Sequence, residues 1–471
     1  MDHKGVFARK PVADIVAAEG GAFKSLSKVL GPLSIIAMGV GAIIGAGIFV
    51  LTGTAAALYA GPALTISFVL AAIACGLVGL CYAELSTLLP VQGSTYTYTY
   101  ATLGELVAWL IGWDLILEYA LGVAAVARGW SAYFNSLLVQ MGMGLPPELL
   151  GARGGPIANV PAAAIVISIS LLLIGGTRES ARLNNVMVAV KLVVVLAFVL
   201  VGAAYVNTAN WHPYIPPNTG EFGHFGISGV LRGASIVFFA YIGFDAVSNC
   251  AQEARQPQRD MPIGILGSLA LSTVLYIAVA AVLTGLVPYP KLNVADPVVE
   301  GARAIGLPWL SLLIEVGALI GLTTVILVLL YGQSRIFATM ASDGLLPPLF
   351  ARIHPRLGTP WISQLVIGAG VAVVAATTPI DTLSELVGAG TLFAFILVCI
   401  AVIYLRRAEP DTPRPFRTPW VPWLPVLGIL SCLGLLAGLG AYTWIRLGIW
   451  IAIGLVIYFV YGRFQSRLRT R

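Results

Sequence analysis

Lys191 is the first residue in this sequence that demands a chemical explanation. It follows Val186-Met187-Val188-Ala189-Val190 and precedes Leu192-Val193-Val194-Val195, inside the apolar run 184–206. An ammonium about two turns from the nearest end of such a run is too deep to snorkel to water. Burial disfavours the charged form, so one reading makes Lys191 a group that gains and loses a proton. The other pairs it permanently with backbone carbonyls. Two carboxylates, Asp114 and Glu118, lie four residues apart and share one helix face. Glu118 is nearer mid-span and is the better candidate for lining a cavity. Asp245 closes the stretch Phe238-Phe239-Ala240-Tyr241-Ile242-Gly243-Phe244-Asp245. Glu118 and Asp245 together could receive a cationic side chain, and Asp245 could equally hydrogen-bond unwound backbone. Glu84, near the end of its run, reads as structural, and Arg128 reads as snorkelling.

Other chemistry is poorly supplied. The five cysteines lie in or beside apolar runs without metal-type spacing, and the four histidines at positions 3, 212, 224 and 354 fall outside those runs and form no cluster. No metal site, cofactor or nucleophile–base set is expected, so the chain does not read as an enzyme.

The glycines point elsewhere. Gly39-Val40-Gly41-Ala42-Ile43-Ile44-Gly45-Ala46-Gly47 places a dense glycine cluster in the middle of an apolar run, and Gly243 occupies a similar position in another. Small residues four apart could serve close helix packing. Two such runs at matching places favour helices that break within the membrane. A broken helix exposes amides on one half and carbonyls on the other. The amides suit a carboxylate and the carbonyls an ammonium. A ligand carrying both groups on one carbon is an α-amino acid. The amides near Gly45, Ala46 and Gly47 would take its carboxylate. The carbonyls of Ile43, Phe239, Ala240 and Ile242 would take its ammonium.

The elements that must hold these residues follow from composition. Of 471 residues, 58% are hydrophobic and 10% charged, and mean hydropathy is +0.91. That charge share is less than half of what a water-facing domain carries, and no polar stretch is long enough for a separate soluble unit. Apolar runs fall at 33–57, 63–88, 105–137, 160–175, 184–206, 229–250, 262–287, 308–340, 361–377, 384–405, 422–443 and 446–463. These predict an all-α membrane protein of about twelve transmembrane helices, because such runs are too long for barrel strands. Residues 1–31 are polar and cationic, so the first run reads as a retained span rather than a cleaved leader.

Cations orient the bundle. With the first residue inside, the cytoplasmic side receives the cations of 1–31, then Arg178, Arg182, Arg255, Arg259, Arg335, Arg352 and Arg356. Arg406, Arg407, Arg414, Arg417 and the arginines of 463–471 join them. The other side receives only Arg128, Arg153, Arg232, Lys291, Arg303 and Arg446. This is the asymmetry of the positive-inside rule, and it places both termini in the cytoplasm of a multi-pass cell-membrane protein. The net charge of +6 is thus a topology signal rather than a nucleic-acid footprint. The two glycine-interrupted runs each open a block of five spans, 33–206 and 229–406. An odd number makes the second block the inverse of the first. The expected organisation is a cytoplasmic segment 1–31, an inverted-repeat transport core 32–406, and two further helices with a tail in 407–471.

These features together resemble the amino acid–polyamine–organocation superfamily, and within it the cationic amino acid transporter branch. The carriers are GVGAIIGAGIFVLTG (39–53), CYAELSTLLPVQGSTYTYTYATLGELVAWLIGWDLILEYALG (81–122), FFAYIGFDAVSNCAQEARQPQRDMPIGI (238–265), YGQSRIFATMASDGLLPPLFARIHPRLGTP (331–360) and RPFRTPWVPWLPVLGI (414–429). They span nearly the whole chain. The resemblance implies a LeuT-like fold of five-plus-five inverted repeats, with alternating access around broken spans one and six. It implies an amino-acid substrate and proton coupling through Lys191, at the place a sodium ion fills in sodium-driven relatives. The family's substrate contacts fall on Ile43, Gly45, Ala46, Gly47, Phe239, Ala240 and Ile242, and its carboxylates on Glu118 and Asp245. The eighth span, around Thr323 to Ile326, would form the far wall of the side-chain pocket. Arg128 stands where bacterial relatives are usually apolar or small.

The expected function is secondary active amino-acid transport, as proton symport of cationic or small neutral amino acids. An amino acid exchanger differs in coupling alone, with Lys191 always charged. A membrane-embedded sensor would need an added signalling domain, and a channel would need selectivity rings. Protons, the amino acid and the lipid bilayer are the expected partners, and nucleic acid is not.

Overall fold

Lipid offers no partners to backbone amides and carbonyls, so a chain this apolar must satisfy them within helices. The computed structural model describes residues 5–10, 30–89, 94–151, 158–175, 181–251, 254–355, 357 and 359–470. Their helices, numbered in chain order, are α1 (Pro32–Ile43), α2 (47–60), α3 (Leu64–Leu88), α4 (Ser94–Thr102), α5 (Glu105–Gln140), α6 (Val160–Ile174), α7 (Ala181–Ala203), α8 (Gly226–Tyr241), α9 (Asp245–Cys250), α10 (Pro257–Leu286), α11 (Pro297–Ala304), α12 (Pro308–Ser342), α13 (Trp361–Thr377), α14 (Ile380–Ala408), α15 (Trp423–Gly438) and α16 (Ala441–Gln465). No extended strand occurs among the described residues. Leu30 and Ala254 form an isolated parallel bridge, and the Arg255 amide donates to the Leu30 carbonyl at 2.9 Å.

Seven helical segments are long and apolar enough to cross a membrane, and five shorter apolar helices of 10–17 residues accompany them. All of the expected windows carry helix. One boundary differs from expectation. The run 422–443 ends as a helix at Gly438, and α16 begins at Ala441, because Leu439 and Gly440 are extended. The short helices α4 and α11 were not expected. In α4 the alternation of threonine and tyrosine resembles a strand, but Tyr96, Tyr98 and Tyr100 are all buried and set the conformation. The outward faces stay apolar: Leu171, Val193, Leu200, Val274, Val373 and Val460 are exposed, the surface a lipid solvent requires. Trp420, Trp423 and Tyr442 are exposed beside the ends of α15 and α16, where a membrane interface favours amphipathic rings.

α5 runs through the middle of the bundle, packed on α12 and α14, while α10 packs on α1 and α3, and α7 on α1, α10 and α12. Both chain ends meet on one side. Lys10 pairs with Asp343 at 2.8 Å, and the Arg467 amide donates to the Asp343 carbonyl at 3.0 Å. Glu105 accepts there from Tyr458 at 2.8 Å, Tyr100 at 3.1 Å and Ser466. Glu84 is structural, as expected. It takes Arg406 bidentately at 2.8 and 2.9 Å and the Thr418 amide at 2.7 Å, with Arg414 at 3.3 Å, tying α3 to α14 and the chain entering α15. On the opposite side Arg303 joins Asp296, Glu315 and Ser136. Of the cations in the charge-asymmetry argument, Lys4, Lys24, Lys28, Arg153, Arg178, Arg356 and Arg471 lie outside the described residues.

Candidate functional site

The first break falls inside the glycine cluster. The Ile44 amide makes a last helical bond to the Val40 carbonyl at 2.9 Å, and Ile44 itself turns extended, with φ −73° and ψ 102°. Helical geometry resumes at Ala46, and α2 opens with wide π-type turns from Gly47 to Leu51. A helix ending mid-bundle leaves carbonyls without partners. Here three are taken by side chains from other helices. Lys191 Nζ donates to Gly41 O at 2.7 Å and Ile44 O at 3.2 Å, and the Tyr276 hydroxyl contacts Ile43 O at 2.9 Å. Lys191 is fully buried, and its methylene stem lies along Gly321 of α12. Both readings of this lysine therefore remain physically joined: it is bonded to carbonyls, and those carbonyls belong to the break.

The second break is local in origin. α8 tightens into a 3-10 turn over Phe238–Tyr241, and the Ile242 amide donates to Phe239 O at 3.3 Å. Gly243 then adopts φ +114°, a conformation that an L side chain rarely tolerates. A Cβ there would also come within 2.9 Å of Ala42 O. The Asp245 carboxylate accepts from the Gly243 amide at 3.2 Å and opens the 3-10 stretch α9, as an acidic residue at a helix start should. The two breaks touch. A Cβ on Gly47 would sit 2.3 Å from Ala240 Cα, so glycine is required for the two backbones to approach. Tyr276 spans the contact, its hydroxyl lying 2.8 Å from Ala240 O as well as 2.9 Å from Ile43 O.

A cavity opens beside this contact. Ile43, Gly45, Ala46 and Gly47 line it from the first break, Phe239 and Ile242 from the second, and Glu118 from α5. Ala42, Gly122, Val126, Val325 and Leu329 complete the wall. Seven of the residues singled out from sequence thus share one space. Ala240 and Asp245 are not in the lining: Ala240 is wedged against Gly47, and Asp245 addresses the Gly243 amide. Lys191 lies behind the first break. Glu118 is in electrostatic reach of both Asp114 and Asp245. From α12 the cavity receives Val325, inside the expected stretch Thr323 to Ile326, and Leu329 one turn beyond it. Thr323 instead accepts from Trp130 Nε1 at 3.0 Å.

Two residues depart from what the sequence suggests. Arg128 does not snorkel freely. Its guanidinium donates to Thr378 O at 2.9 Å and Ala376 O at 3.2 Å, because the C-terminal carbonyls of α13 have no helical donors of their own. Tyr276 was not anticipated at all. A tyrosine within LSTVLYIAVAA carries no signal that separates it from a packing residue, and its carbonyl partners come from two distant segments.

A family model described as amino acid permease matches residues 30–461. The branched-chain amino acid permease BcaP of Bacillus subtilis (strain 168) is 48% identical over 469 residues, covering 98% of this chain and 99% of that protein. The methylthioribose transporter of the same organism is 47% identical over 466 residues, with the same coverage of both. Cationic amino acid transporter 9, chloroplastic, of Arabidopsis thaliana is 40% identical over 435 residues, covering 90% of this chain and 74% of that protein.

Proposed function

Because this chain belongs to the amino acid permease family, a family of multi-pass membrane transporters rather than enzymes, we propose that it moves L-amino acids by alternating access with a coupled proton. The observation that carries the proposal is the cavity where two broken helices meet, lined by Ile43, Gly45, Ala46 and Gly47 from one and by Phe239 and Ile242 from the other. The start of α2 presents the positive end of its dipole to the substrate carboxylate. The carbonyls of Ile43, Phe239 and Ile242 hold the ammonium. Ile43 O keeps a second lone pair beside Tyr276.

The side chain of the substrate meets Val126, Val325 and Leu329. Apolar contact rewards an aliphatic group by roughly 0.8 kcal/mol per buried methylene, so neutral aliphatic amino acids are the favoured substrates. Glu118, the one carboxylate in the lining, leaves room for a cationic side chain as the second choice. Asp245, turned to the Gly243 amide, supports the fold of the second break.

Lys191 supplies the coupling. As an ammonium it bonds two carbonyls and fixes the end of α1. As a neutral amine it offers weaker bonds, because charge-assisted bonds are roughly twice as strong as neutral ones. Protonation thereby sets whether α1 is held or free to swing. The organisation that goes with this is a LeuT-like arrangement of twelve spans: repeats 33–206 and 229–406, helices α15 and α16 outside them, and both termini on the cytoplasmic side of the cell membrane.

The test is uptake of radiolabelled leucine, alanine, arginine and methylthioribose into liposomes, with and without an inward proton gradient. Gradient-stimulated uptake of leucine or alanine is expected. Uptake that ignores the gradient and needs internal amino acid would make the protein an exchanger. Uptake of methylthioribose alone would overturn the amino-acid reading.

A further inference from the structure

Asp114 has no part in the mechanism above, yet its surroundings are unusual. It lies on α5 one turn from Glu118 towards the side that carries both chain ends, about 6 Å along the axis. It is 1% exposed, and neither carboxyl oxygen has a protein hydrogen-bond partner. α14 closes over it so tightly that a Cβ on Gly390 would fall 2.6 Å from Asp114 Oδ1. Among the described residues no cation pairs with Asp114. α14 adds Thr391, whose hydroxyl donates to Val387 O. α12 adds Gln333, whose amide donates to Ile116 O. α16 contributes Trp450, stacked on Trp113, and α4 contributes Tyr96, which faces Gly112. Tyr119 follows on α5 itself. Glu118, one turn along α5, is in electrostatic reach of Asp114.

A carboxylate sealed in such a place is strongly disfavoured against its neutral acid. We propose that Asp114 is a second proton-holding site of this transporter, occupied while α14 is closed on α5 and emptied when that contact opens. In the closed conformation the O–H bond is intact on Asp114. On opening, water reaches the carboxyl, the O–H bond breaks, and the proton passes to that water on the terminal side, leaving a carboxylate. After that hydronium has left, a second water takes a proton from a Glu118 oxygen, leaving a Glu118 carboxylate, and delivers it to Asp114 before the contact closes again. Asp114 thus takes the proton one turn beyond the substrate cavity, and Glu118 is the group it exchanges with.

This rests on the reading of the protein as a proton-coupled transporter, and the experiment separates the two. Wild type, Asp114→Asn and Asp114→Glu are reconstituted, and leucine uptake driven by a proton gradient is compared with leucine counterflow in the absence of one. Infrared difference spectra across a pH titration report the carbonyl stretch of protonated carboxylic acids. Wild-type uptake that is indifferent to the gradient defeats the proton-coupled reading on which the proposal rests. If wild type responds to the gradient, the proposal predicts that Asp114→Asn loses the stimulation while keeping counterflow. Asp114→Glu should recover it, and one protonated-acid band should vanish in the asparagine variant. Gradient-driven uptake unchanged in Asp114→Asn, or an unchanged infrared band set, overturns the proposal. Loss of counterflow in both variants would make Asp114 a packing residue and overturn it too.

Discussion

The two breaks look alike in outline and are held by different means. The break at Gly243 is written locally: a glycine at φ +114° and an aspartate two residues on that accepts from its amide. The break after Ile43 has no residue of positive φ. Its carbonyls are held from outside, by Lys191 of α7 and Tyr276 of α10. A break made by its own backbone carries its geometry within it. One held from outside loosens when its donors are lost or weakened. On the proposed mechanism the switch lies at the first break and a fixed hinge at the second.

The largest expected effect removes the contact between them. Gly47→Val would drive a branched side chain into Ala240, whose Cα is 2.3 Å from a Cβ at that site. Uptake and binding of leucine should both fall below detection, while the variant still inserts and purifies. Next comes Lys191→Ala, which strips a charged donor from two buried carbonyls. Each unsatisfied group costs about 1–3 kcal/mol, so thermal unfolding in detergent should begin at a lower temperature and gradient-driven uptake should be lost. Gly243→Ala is smaller. It forces a side chain into a sparsely populated conformation at about 1–3 kcal/mol. Because the Lys191 bonds are untouched, it should lower the melting temperature while leaving the ratio of gradient-driven to exchange transport unchanged. A change in that ratio would blur the distinction between hinge and switch. Tyr276→Phe is the mildest. Losing one hydroxyl donor shared between Ile43 O and Ala240 O should weaken leucine binding by about 1 kcal/mol, or about fivefold, measured by isothermal titration.

The same contrast explains what the sequence could reveal. Glycine clusters and a lysine inside an apolar run stand out because lipid makes polar or unwound backbone expensive. Both breaks, Lys191 and most of the cavity lining were therefore legible from residue types alone. Gly243 and Asp245 carry their own geometry. Tyr276 and Arg128 do not, because their partners are carbonyls, which every residue has, supplied by segments far away in the chain. The burial of Tyr96, Tyr98 and Tyr100 likewise overrode the strand-like alternation of α4, and side-chain periodicity alone cannot foresee such tertiary packing. Asp245 was legible as a special residue, while its bond to the Gly243 amide is visible only in the structure.

The most direct test compares Lys191→Ala with wild type in the same liposomes, measuring leucine counterflow and proton-gradient-driven leucine uptake side by side. Counterflow that survives while gradient-driven uptake vanishes is the predicted result, since the substrate cavity lies in front of the break and the lysine behind it. Gradient-driven uptake that persists in Lys191→Ala would contradict the account and reduce Lys191 to a structural donor.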